Sequence, residues 1–306
     1  RIADEMAAAL ERARELLARV VRVDPLRELR WPLRVVAWLG GARTAPPPRA
    51  GVPWHRWLGA EAASAGDHRQ PTDGALLIDG VAFGRREIGA GARMWASWLT
   101  DASPGDDTWL ILAPLSSSVG AVAALGAAPA LRARTALVAG GATADVIDAL
   151  RYVRPAWVVS DTATVARLAA DPALAGVDLR GVRGWLVAGP VPPPLARAFA
   201  EASGVELCVG WAPAGAAGFV ACNPINGRRV AGSVGLPLPG VRIVAGASGM
   251  TLRAPNGPPP PADGTLVAEA RLDADGYLVV DPPPELPAAV VDVFRRGRVT
   301  AGRGRR

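Results

Sequence analysis

The sequence contains no lysine; all 34 of its basic residues are arginine. Arginine supplies charge and surface solvation but not a compact, mobile ammonium, so chemistry that needs a lysine amine has no candidate. Cysteine and histidine are scarce as well. Cys208 and Cys222 are too few for a disulfide framework, and with only His55 and His68 beside them no metal cluster is expected. Cys208 alternates with apolar neighbours and reads as a buried structural thiol rather than a nucleophile. No run approaches the ~18 uninterrupted apolar residues of a membrane span, and the N-terminus lacks the basic start and apolar middle of a secretory signal. A cytoplasmic location is the expectation. The chain opens on Arg1 rather than Met, which points to a processed or excised piece.

What is present is a chain of 306 residues, 50% hydrophobic, with a formal net charge of +6. That is enough for a large core and one or two domains. Residues 2–23 carry Met6, Leu10, Leu16, Leu17 and Val20 near three- and four-residue spacing and predict an amphipathic helix. Residues 31–39 predict a second short helix or strand, and residues 44–70, rich in Pro, Gly and Ala, a linker. From residue 71 short apolar runs alternate with helical periodicity. Strands are expected at 109–113, 135–139, 156–160, 184–187 and 206–209, and helices at 87–99, 119–127, 144–152, 163–170 and 193–203. That alternation implies crossover units: an α/β fold with a mostly parallel sheet and flanking helices over residues 71–231. Over residues 232–294 the rhythm shortens to β segments at 241–244, 250–253, 265–268 and 277–280, which predicts a small β-rich subdomain. The Arg/Gly-rich end, residues 295–306, reads as disordered; it is too short and too poor in aromatics to predict nucleic-acid binding.

Several segments then fall in a telling order. Thr72-Asp73-Gly74-Ala75-Leu76-Leu77-Ile78-Asp79-Gly80-Val81 is followed by Pro114-Leu115-Ser116-Ser117-Ser118-Val119-Gly120. Val187-Ala188-Gly189-Pro190-Val191 precedes a proline run, and Gly210-Trp211-Ala212-Pro213-Ala214-Gly215 comes next. The whole resembles the adenylate-forming superfamily of acyl-CoA synthetases, luciferases and peptide-synthetase adenylation domains. The resemblance runs from about residue 71 to 280 and implies that superfamily's large-domain core. Members join a carboxylate to ATP as an acyl-adenylate and pass it to a thiol.

The resemblance also marks what has changed. The first segment stands where the superfamily has a phosphate loop, T-S-G-T-T-G-x-P-K-G. Thr72, Gly74 and Gly80 match it, whereas Asp73 and Asp79 would repel phosphate by roughly 1 kcal/mol per charge. The second stands where P-L-F-H-x-x-G lines an acyl pocket. It offers Ser116, Ser117 and Gly120 as candidate pocket residues, although serines there also suit the cap of the following helix. The third and fourth match an adenine turn and the G-Y-G-M-T-E motif, and make Gly189, Gly210 and Trp211 candidate nucleotide contacts. Ala214 and Gly215 occupy the threonine and magnesium-directing glutamate positions, and Ala268 that of the ribose-binding aspartate. The superfamily's lysine-bearing C-terminal domain has no counterpart among the residues that follow.

No catalytic residue is therefore expected. ATP, AMP or CoA binding is weakened and magnesium is not expected. The expected function is a catalytically impaired acyl-CoA-synthetase relative with a binding or assembly role. Its partner is a protein, a second copy of the chain, or an acyl or nucleotide ligand. Two alternatives stand beside it: a divergent AMP-forming acid–thiol ligase completed by a partner chain, and a simple ligand-binding module.

Overall fold

The computed structural model describes residues 21–22, 52–53, 74–78, 81–138, 141–246, 249–257, 265–267 and 270–280. The chain divides into two compact units, Arg1–Arg69 and Gln70–Arg306. In the first, β1 (Val21–Arg22) and β2 (Val52–Pro53) pair in parallel. The helix expected over residues 2–23 thus does not reach Val23: its end is strand β1, and the rest of it lies outside the described residues. Strand β2 likewise interrupts the linker expected over 44–70; residues 31–39 also fall outside the description.

The second unit begins with a hairpin, β3 (Gly74–Ile78) and β4 (Val81–Gly84), leading into α1 (Arg85–Trp98). Crossover units follow: β5 (Thr108–Ile111), α2 (Ser118–Val122), α3 (Ala128–Ala130), β6 (Arg134–Leu137), α4 (Thr143–Val153) and β7 (Trp157–Asp161). Then come α5 (Thr162–Ala169), β8 (Gly184–Ala188), α6 (Pro193–Ser203) and β9 (Leu207–Trp211). Strands β5 to β9 are all parallel, and β10 (Ala221–Cys222) and β11 (Leu236–Pro237) extend the sheet antiparallel. The order across the seven strands is β11-β10-β9-β8-β7-β5-β6. The mostly parallel α/β expectation holds.

Alternation along the strands explains why both faces are covered. Leu110, Val158, Trp185, Val187, Leu207 and Val209 pack into one core with Ile147 and Leu150 of α4, Val165 and Leu168 of α5, and Leu195 and Phe199 of α6. Their sequence neighbours Trp109, Ile111, Trp157, Val159, Leu186 and Cys208 point the other way, against Met94 and Trp95 of α1 and Val119 of α2. Each fully buried large side chain contributes about 1.5–3 kcal/mol of transfer free energy. The helix expected over 119–127 forms, but it widens into a π-helical turn at Ala123–Ala127 just before Pro129.

Tryptophan carries much of the packing. Trp95 stacks on Phe219 with centroids 4.7 Å apart and lies 6.1 Å from Trp109, which is 6.1 Å from Trp157. A buried indole N–H needs an acceptor, and two find one: Trp157 donates to Asp107 at 2.8 Å and Trp185 to Ser160 at 2.9 Å. Buried Asp107 also accepts from the Ser103 backbone N–H and pairs with Arg183, whose guanidinium sits 5.6 Å above the Trp157 ring.

Past residue 232 the β-rich stretch forms an antiparallel sheet of β12 (Arg242–Gly246), β13 (Gly249–Arg253) and β14 (Thr265–Val267), and a hairpin of β15 (Ala270–Leu272) and β16 (Leu278–Val280). It is tied to the large sheet through β11 and a bridge between Gly235 and Leu278. Residues 295–306 lie outside the described residues. Among the described residues no helix is long and apolar enough to cross a membrane.

Candidate functional site

Parallel sheets bind ligands beyond the carboxyl ends of their strands, where loops diverge. Here the loops after β5, β8 and β9, closed over by the β3–β4 hairpin, enclose a cleft of about 400 Å³. The hairpin contributes Ile78, Val81 and Phe83, the β5–α2 loop Ser117, Ser118 and Val119, the β8 turn Ala188 and Gly189, and the β9–β10 loop residues Ala212 to Ala216. Among the described residues, none of this lining carries a formal charge. Its side-chain polarity comes from two serine hydroxyls.

One of those hydroxyls is committed. Ser117 caps α2: its Oγ accepts from the Gly120 N–H at 3.1 Å and donates to the Pro114 carbonyl at 2.7 Å. Ser116 is exposed and lies outside the lining. Gly120 is buried, and a β-carbon there would lie 2.1 Å from the Pro114 oxygen, so its glycine serves packing of the loop rather than a ligand.

The β8 turn is held by the Gly189 N–H, which donates to the Gly210 carbonyl at 2.9 Å, with Gly189 at φ +97°. Val187 points into the core, so Ala188 is the residue that places a methyl at the cleft. Gly210 and Trp211 do not join the lining. Phe219 packs on Gly210, leaving 2.9 Å to an added β-carbon, and Trp211 packs against the cluster of Ala216, Val220 and Leu252. The aromatic that resembled a base-stacking residue is half-buried at the edge of that cluster.

The hairpin corrects the reading of residues 72–81 as a substituted phosphate loop. Gly74–Ile78 is strand, Gly74 pairs with Gly84, and Ile78 pairs with Val81. Only Asp79 and Gly80 separate the two strands in the sequence. Thr72 and Gly80, like Ala268, lie outside the described residues.

Two residues that sequence reasoning passed over shape the cleft and its surroundings. Asn256 is fully buried and donates to the Ala217 and Phe219 carbonyls at 3.0 and 3.1 Å, anchoring the loop that carries Ala212 to Ala216. Across the β5–α2 loop, a second cavity of about 370 Å³ is lined by Leu115, Leu137 and Val146 among others, together with Asp161, Thr164 and Arg167. Asp161 caps α5 through the Thr164 N–H at 2.7 Å, and Arg167 donates to the Thr164 hydroxyl at 3.2 Å. An Asp three residues before Thr164-Val165 is a legible cap signal; that a cavity opens beside it is a tertiary fact.

The cysteines are both buried and free. Burial pushes the Cys208 thiol up to about 11 and the Cys222 thiol well above its ordinary value, so neither is a nucleophile near neutral pH.

A profile of the AMP-binding enzyme family matches residues 80–269, more than half of the chain. The chain belongs to that family. Among solved structures it superposes on a malonyl-CoA ligase with methylmalonyl-CoA and AMP bound, at 22% identity and a TM-score of 0.58, over 72% of this chain and 55% of that one. O-succinylbenzoate coenzyme A synthetase from Bacillus subtilis, in complex with AMP, aligns at 18% identity and 0.59 over 70% and 50%. Amide bond synthetase McbA from Marinactinospora thermotolerans aligns at 22% and 0.57 over 65% and 46%. At these identities the likeness is one of fold, and this family member spans about half the length of the structures it matches. No curated protein matches its sequence.

With the family in place, the cleft can be tested against the nucleotide that its name implies. A polyphosphate needs cations or a cradle of backbone N–H groups, and a bridging magnesium needs carboxylate oxygens. The lining offers Ala214 and Gly215 at the positions of the threonine and the glutamate in the resemblance, and a two-residue connection at that of the phosphate loop. Among the described residues, the lining presents no carboxylate for a magnesium ion and no cation for a polyphosphate.

Proposed function

We propose that this AMP-binding family member is a catalytically impaired relative of the acyl-CoA ligases that binds a small ligand in the cleft without adenylating it. The observation that carries the proposal is the uncharged lining of the cleft, with Ala214 and Gly215 at the rim and wall nearest the end of β9. Phosphoryl chemistry depends on stabilising charge at the transferring group, and these groups act as a unit, so losing several leaves no proportionate remainder. What the fold retains is a preformed concave site on rigid strand ends, which suits binding.

The test is ATP–pyrophosphate exchange across a panel of carboxylic acids, with a heat-denatured sample as control. Exchange at the control level is expected with every acid. Acid-dependent exchange clearly above it would overturn the proposal.

A further inference from the structure

We infer that the cleft takes an uncharged, largely apolar small molecule and discriminates against its anionic counterparts. This rests on the binding reading above and names the ligand class of the same site. Two observations carry it.

The first is the wall chemistry. Ile78, Val81, Phe83, Val119, Ala188 and Ala212 line the cleft, and a charged ligand seated among them would exchange its hydration for apolar contacts. The second is the placement of polarity. Ser117 spends its hydroxyl on the Pro114 carbonyl and the Gly120 N–H, so the helix end beside the cleft is already capped from within. Ser118 and the backbone of the Ala212–Ala216 loop remain to orient a neutral donor or acceptor, the pattern of few polar groups in an apolar pocket. The volume, about 400 Å³, lies within the range of small-ligand pockets.

The experiment uses pairs of probes matched in shape and differing in charge: benzamide and benzoate, cinnamamide and cinnamate, octanamide and octanoate, adenosine and AMP. Binding to the full chain is followed by saturation-transfer NMR with calorimetry for the hits. At least one neutral member is expected to bind roughly tenfold or more tightly than its anionic partner. Ala214 is exposed at the rim, so Ala214→Arg adds a cation without disturbing the core, and it is expected to narrow or reverse that preference. Two results would overturn the inference: tighter binding of the anionic members by the native chain, which leaves the binding reading standing, or equal affinity within each pair that Ala214→Arg does not change. A response from no probe in either protein sinks the binding reading itself.

Discussion

Raising the pH from 8 to 11 should destabilise this protein through its two thiols, and the composition makes the effect unusually clean. Most proteins titrate many lysines over that range; this one has none, and arginine keeps its proton throughout. In the unfolded chain both thiols ionise from the ordinary value near 9 upward. In the folded chain burial among Trp109, Trp157 and Phe219 holds the Cys208 proton to about 11, and the Cys222 proton higher still. The unfolded state therefore releases protons first, and stability falls as pH rises from 9 through 11. A two-unit difference makes the Cys208 share about 2 kcal/mol by pH 11, at 1.36 kcal/mol per unit. Cys222 shifts in the same direction and adds to it. Urea unfolding at half-unit pH steps would read the slope in the native protein and in Cys208→Ala, Cys222→Ala and the double variant, all on a Tyr152→Phe/Tyr277→Phe background that removes the phenols. Each single variant should start less stable, from the cavity it leaves, yet lose less stability as the pH rises. An unchanged alkaline slope in the double variant would refute the argument, because no other pair of buried acids remains to supply it among the described residues.

Two further expectations concern the scaffold. Asp107→Ala strips the acceptor from Trp157 Nε1, Ser103 N–H and Arg183 at once and should cost about 3 kcal/mol, the low end for a broken buried pair because Arg183 keeps a third of its exposure and can resolvate; a loss below 1 kcal/mol in chemical denaturation would argue that the network adds little. Arg154 closes α4 in the left-handed region at φ +47°, with its N–H on the Leu150 carbonyl, so Arg154→Gly should relieve the strain and raise stability by about 0.5–1 kcal/mol, read as a higher denaturation midpoint.

Legibility was uneven along the chain for physical reasons. Strands β5, β7, β8 and β9 and helices α1, α4, α5 and α6 were visible to within two residues at either end, because burial on one or both faces writes a period into the sequence. The two-residue β10 and β11 carry no period and escaped notice, although they extend the large sheet. Trp211 was ambiguous for a related reason. An aromatic at a strand end serves a ligand or a core equally well, and only the tertiary structure shows this one half-buried against Ala216, Val220 and Leu252. Residues 72–81 posed the opposite problem: surviving glycines suggested a loop, while Leu76 and Ile78 facing Val81 and Phe83 made a hairpin.

The sequence alone therefore determined the α/β alternation, the family and the absence of an ammonium, since each is a property of residue type and order. The tertiary structure decided what the cleft is made of, because its wall is assembled from four segments far apart in the chain. Whether Ala188 or Val187 faces it, whether Ser117 is free or spent on a cap, and whether Gly210 admits a ligand or Phe219 all depend on which side of a strand or turn each residue is left. A one-residue difference in register reverses that side, and packing between distant segments fixes the register.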